Sequence, residues 1–218
     1  MKRIVAINGS HREKGNTRYL MQAFLSGAAE NHAVTDIYDA HRMNLNYCNG
    51  CLRCNLIKRC SVSNDDWTSL SQKILSSDVL VFATPIYFHH VTAPIKKILD
   101  RFRSFVNVKI TEQSLEHTPW QEWDKDFVLL LSMGSSSDED ARPVIELFEY
   151  MVRILGVNNR LHVITGNRLA VIKQVGFSME ELEKLYIKLN LPDQLATNDA
   201  NVNRELLNKC FELGKTIT

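Results

Sequence analysis

No stretch of this 218-residue chain approaches the roughly 20 consecutive apolar residues that a membrane-spanning helix needs. Charge of neither sign is in excess. Lys and Arg number 26 against 25 Asp and Glu, a net charge of +1, and no basic block is long enough to follow nucleic acid or an anionic membrane surface. The opening MKRIVAINGS has a basic pair but too short an apolar run for a secretory signal. Repeats and low-complexity linkers are absent. Cysteine is sparse, at five, and the expected location is the cytoplasm, where structural disulfides are not kept. What remains, 44% hydrophobic and 23% charged, describes one globular domain spanning 1–218 with a core of its own.

Two phosphate-binding signatures are missing as well. Gly9 and Gly15 are separated by five residues, and Asn16 stands where a Walker loop carries its lysine. No glycine lies two positions after Gly9, so the dinucleotide fingerprint fails too. The stretch IVAINGSHREKGNT at 4–17 nevertheless reads as a strand running into a Gly/Ser/Asn/Thr loop and then a helix. Backbone N–H groups, hydroxyls and a helix N-terminus converge there, which suits a bound monophosphate better than a triphosphate being cleaved. An ordinary strand-to-helix turn accounts for the same residue types.

Along the chain, short apolar runs at 4–7, 33–38, 78–83, 127–132 and 160–165 read as strands. Amphipathic spacing predicts helices over 17–31, 65–75, 93–102, 141–155, 178–189 and 201–215. Two segments lack periodicity: the cysteine-rich loop at 46–62 and a variable insertion at about 105–125 with Trp120 and Trp123, either a lid or dimer contact or a loop pinned to its own domain. Strand and helix alternate, which predicts an α/β fold: a doubly wound parallel five-stranded sheet in a three-layer sandwich. Ligands sit beyond the carboxyl ends of such strands, where the loops after Ile7, Ala83 and Ser132 converge.

The segments GSHREKGNT at 9–17, TPIYF at 84–88, the cysteines at 48–60 followed by Asp65-Asp66, and Lys96 followed by Asp100-Arg101 together resemble the flavodoxin-like FMN proteins. That group includes the NAD(P)H-dependent FMN reductases and the iron–sulfur flavoproteins. The resemblance covers residues 2–105 closely and continues in pattern to 213–215. It implies a flavodoxin-like FMN-binding domain and an FMN-dependent oxidoreductase. Hydride would pass from NAD(P)H to the flavin, and electrons onward to a quinone, a nitro or azo compound, a flavin or a metal.

Carried over by residue, Ser10, Asn16 and Thr17 would hold the FMN phosphate with Arg12 near it. Thr84, Pro85, Ile86, Tyr87 and Phe88 would line the ring and ribityl chain, and Met133 and Gly134 the third side. His11 replaces the family's usual proline. On spacing alone, Tyr87 and Phe88 serve equally as plugs on the core. The resemblance requires no side chain as general acid.

Cys48, Cys51, Cys54 and Cys60 place four thiols within thirteen residues of irregular chain, enough to surround one metal or cluster. The last spacing is longer than in ferredoxins, and Ser61 stands where proline would follow. The pattern resembles the compact iron–sulfur flavoprotein motif, which implies a 4Fe-4S cluster. Zinc, in a non-redox metal-stapled binding module, and free thiols are the other readings. With a cluster, the protein would be an electron carrier with a ferredoxin-like partner. A homo-oligomer is expected from the family. Cys210 falls on the apolar face of the last helix, and the adjacent His89 and His90 read as solvent-facing or substrate-side.

Overall fold

The computed structural model of the chain describes residues 1–218. Its strands are β1 (Arg3–Asn8), β2 (Val34–Asp39), β3 (Val79–Pro85), β4 (Val106–Ile110), β5 (Leu115–Pro119), β6 (Asp126–Ser132) and β7 (Arg160–Gly166). Its helices are α1 (Asn16–Glu30), α2 (Cys54–Ile57), α3 (Trp67–Ser76), α4 (Ala93–Arg101), α5 (Arg142–Leu155), α6 (Met179–Lys188) and α7 (Gln194–Ile217).

Five strands pair in parallel in the order β2-β1-β3-β6-β7. This is the flavodoxin-like doubly wound sheet, and its strand order reverses at β1. Because side chains alternate across a strand, the two faces bury different residues. Val5, Ile7, Leu80, Phe82, Leu129 and Leu131 share one core with Leu70, Ile95, Ile98 and Phe148, from α3, α4 and α5. Ile4, Ala6, Val79, Val81, Val128 and Leu130 share the other with Leu20, Phe24 and Leu206, from α1 and α7. Cys210 lies inside this second core, and burial pushes its thiol up to about 12.

Helices α1 and α7 touch backbone to backbone. A Cβ on Gly27 would lie 1.9 Å from the Phe211 carbonyl oxygen, and one on Gly214 2.0 Å from that of Phe24. The last helix also starts at Gln194 rather than near 201. Its added turns bury Ala196, Asp199 and Ala200, small and polar residues that hydrophobic periodicity does not register.

The segment 105–125 contains an antiparallel hairpin, β4 on β5, with Val106 opposite Pro119. Beyond it Trp123 is buried, its ring stacked 6.1 Å from Phe127 and meeting Phe105 edge to face at 5.2 Å. This tryptophan anchors the segment to the sheet. No helix is long and apolar enough to cross a membrane.

Candidate flavin cleft and cysteine pocket

The end of β1 is held by its own side chains. Asn8 Nδ2 donates to Asp39 Oδ1 (2.7 Å) and to the Ser10 carbonyl (3.3 Å), and the Ser10 N–H donates to Asn8 Oδ1 (3.1 Å). Burial pushes the Asp39 carboxyl up, but hydrogen bonds from Asn8 and Arg18 and the Arg18 charge outweigh it and hold the pKa below its ordinary value. Helix α1 then follows Gly15, its N-cap, with no capping side chain and no acidic residue in its first turn. A helix start left in that state presents N–H groups and partial positive charge to an anion. Gly15 packs tightly: a Cβ there would come within 2.9 Å of Ser10 Oγ.

Ser10, Arg12, Gly15, Asn16, Thr17, Pro85, Ile86, Tyr87, Ser132, Met133, Gly134, Leu169 and Ala170 line one cleft beyond the carboxyl ends of β1, β3 and β6. Ser10 and Thr17 are buried in its floor. Thr17 Oγ1 lies 2.6 Å from Ser132 Oγ, and Ser10 Oγ accepts from the Arg12 N–H at 3.2 Å. The phosphate loop and the TPIYF segment thus meet with mixed chemistry, hydroxyls and an open helix start at one end and Pro85, Ile86, Tyr87 and Leu169 at the other. That arrangement fits a phosphorylated flat ring, which needs an anion cradle joined to apolar walls.

Three positions differ from the sequence expectation. The Asn16 side chain is turned away from the cleft's anion end. Its Nδ2 donates to the Leu169 and Val171 carbonyls (3.0 and 2.8 Å), and its Oδ1 accepts from the Val175 N–H (3.0 Å). Only its backbone N–H is left for an anion. Thr84 is buried beneath the cleft, where its hydroxyl accepts from the Thr92 N–H, while Thr92 Oγ1 donates to the Gly9 carbonyl. Phe88 is fully exposed at the tip of a tight turn closed by Tyr87 and His90. Phe88 and His89 both have positive φ there, at 49° and 58°, as the two central residues of such a turn do, and Phe88 is not part of the cleft lining.

The residues that sequence reading missed are Ser132, Leu169 and Ala170. Ser132 is the last residue of a wholly apolar run, and the other two lie in the aperiodic segment after β7. Neither context carries a motif.

At the C-terminal end of α4, Cys48, Cys51, Cys54 and Cys60 line a single pocket with Arg101 and Arg103. Its loop is clasped at the base. Arg101, fully buried, donates to Asp65 Oδ2 (2.7 Å) and to the carbonyls of Asn46 (2.8 Å) and Val62 (3.1 Å). Burial raises the Asp65 carboxyl, but the Arg101 hydrogen bond and the N–H groups of Asn46 and Trp67 more than reverse this, and its pKa is lowered. Arg103 Nη1 donates to Cys54 Sγ at 3.5 Å. Burial pushes the Cys54 thiol up against that charge, whereas the Ser61 hydroxyl pulls Cys51 down. No three His, Cys, Asp or Glu side chains converge as a single metal ion would require. The four thiols and two guanidiniums share the lining of this one pocket.

The pattern that defines the NADPH-dependent FMN reductase family matches residues 2–171. The chain belongs to that family. Two curated relatives of this FMN reductase family protein are iron–sulfur flavoproteins. That of Methanocaldococcus jannaschii is 32% identical over 101 residues, 46% of this chain and 52% of the relative. That of Archaeoglobus fulgidus is 33% identical over 97 residues, 44% of each. The chain therefore spans about half the length of these relatives. Among solved structures, the NAD(P)H:quinone oxidoreductase of Methanothermobacter marburgensis superposes with a TM-score of 0.66 at 15% identity, covering 100% and 99% of the two chains. An FMN-dependent NADH-azoreductase of Bacillus anthracis, solved in complex with FMN, gives 0.59 at 11%, covering 97% and 99%. At such identities the likeness is one of fold.

Proposed function

We propose that this protein is an NAD(P)H-dependent FMN oxidoreductase whose flavin occupies the cleft between the 9–17 loop and the TPIYF segment. The observation that carries the reading is the convergence of Ser10, Gly15 and Thr17 with Pro85, Ile86, Tyr87 and Met133 on one cleft in a chain of this family. When bound, FMN would accept hydride from the nicotinamide and pass electrons to a small acceptor such as a quinone or an azo compound. The chain's own part is placement. The Ser10 and Thr17 hydroxyls and the N–H groups opening α1 would bind the phosphate. Pro85, Ile86 and Tyr87 would exclude water along one side, and the open mouth would leave room for donor and acceptor in turn.

Replacing Ser10 and Thr17 together by alanine removes both hydroxyls from the floor and should weaken FMN retention by about 1–3 kcal/mol for each buried hydrogen bond lost. Flavin titration of the double variant reads this directly. Affinity equal to that of wild type would place the phosphate elsewhere.

The pocket of four cysteines favours a second reading, a 4Fe-4S cluster passing single electrons to a ferredoxin-like partner. Cys48, Cys51, Cys54 and Cys60 would be its ligands. Iron and acid-labile sulfide assays on anaerobically purified protein test it. About four irons per chain support a cluster, as four thiolates hold one such group, and zinc or no metal rejects it.

A further inference from the structure

Residues 167–176 form a strap across the cleft that contributes Leu169 and Ala170 to its lining. The phosphate loop grips the strap from below. Besides the three Asn16 bonds already described, the Arg12 guanidinium donates to the Ala170 carbonyl (3.1 Å) and the Lys173 N–H to the Lys14 carbonyl (3.1 Å). On its other side the strap is held by α6 and α7, beyond the residues the family pattern matches. Arg168 Nε donates to Asp199 Oδ2 (2.9 Å), and the Tyr186 hydroxyl donates to the same oxygen. Gln174 Nε2 donates to the Tyr186 hydroxyl (3.4 Å), its Oε1 accepts from the Val171 N–H (3.0 Å), and its carbonyl accepts from Asn203 Nδ2 (3.3 Å). Gln174, Tyr186, Asp199 and Asn203 are all buried.

A buried polar network of this kind is costly to leave half-made, so it holds its members to one arrangement. An apolar contact would pin the helices as well but would not fix the strap's carbonyls. We infer that Asp199, with Tyr186, is a positioning residue for the cofactor cleft: it sets the strap through Arg168 and Gln174, and the strap in turn sets Asn16, Arg12 and the start of α1. Asn16 thus acts on the anion site by fastening the strap. The inference rests on the flavin occupying this cleft.

The test compares Asp199→Asn and Tyr186→Phe with Leu182→Ala. Leu182 is buried in the small core between α6 and α7, with Tyr186, Ala196 and Ala200. Its truncation loosens the same helices without removing a strap bond. FMN dissociation constants are read by flavin fluorescence, and amide hydrogen exchange is followed at 167–176 and in the strands. In Asp199→Asn the strap should exchange faster with the strands unchanged, and the FMN dissociation constant should rise about tenfold, the scale of one charge-assisted hydrogen bond. Tyr186→Phe should shift both in the same direction by less. Leu182→Ala should leave FMN affinity within about twofold. Equal weakening in Leu182→Ala would reduce the network to general stability and overturn the inference, as would a loosened strap with unchanged FMN affinity. The wild-type titration tests the flavin reading separately: no binding there would overturn the assignment on which the inference rests.

Discussion

Asp126 shows how one buried carboxylate organises the end of the sheet opposite the cleft. It accepts from Arg160 Nε (2.8 Å) and Lys2 Nζ (3.3 Å), and His162 Nε2 lies 2.9 Å away. Burial raises its pKa, but the hydrogen bonds from Arg160 and His162 and the Arg160 charge outweigh this and lower it to about 2. A depressed carboxylate stabilises the fold above its unfolded pKa and loses that contribution as pH falls through the folded one. Asp126→Asn should therefore cost about 2 kcal/mol at neutral pH, with the difference shrinking below about pH 4. Urea unfolding across that range reads the loss, and a pH-independent difference would contradict the linkage. At Arg101 the expectation is larger. Arg101→Met strands Asp65 in the interior and should destabilise the protein by about 3–5 kcal/mol. The same urea unfolding would show an effect below about 1 kcal/mol if the pair were in effect solvated.

Elements were legible where burial is complete. The β3 and β6 runs VLVFATP and DFVLLLS, buried throughout apart from Pro85, read as strands because both faces need apolar side chains. The hairpin was not legible, because β5 is largely exposed and its LEHTP carries no alternation. The strap was hidden for a different reason: side chains from other elements hold it, with no period of its own. Asn16 marks the same limit, since the family resemblance assigns it to an anion while its side chain serves the strap. The contact of α1 with α7 makes its own prediction. Gly27→Ala or Gly214→Ala must push two helices apart and should each cost about 1–3 kcal/mol. Thermal melts unchanged from wild type would mean the helices separate freely.

Across the whole molecule, the cleft and the cysteine pocket are separate and share no lining residue. One lies beyond the carboxyl ends of the parallel strands, and the other is clasped by the buried Arg101 at the end of α4. The cleft is built from four parts of the chain: the 9–17 loop, the 85–87 segment, the 132–134 turn and the strap. Motifs announced the first two and the cysteines, but not the C-terminal helices that hold the strap. The most direct test of the central claim is an anaerobic titration of the purified protein with FMN and then NADPH, followed by visible absorbance. One flavin should bind per chain and lose its oxidised visible band on addition of NADPH. Wild-type protein that binds no FMN, or a bound flavin that neither NADPH nor NADH reduces, would contradict it.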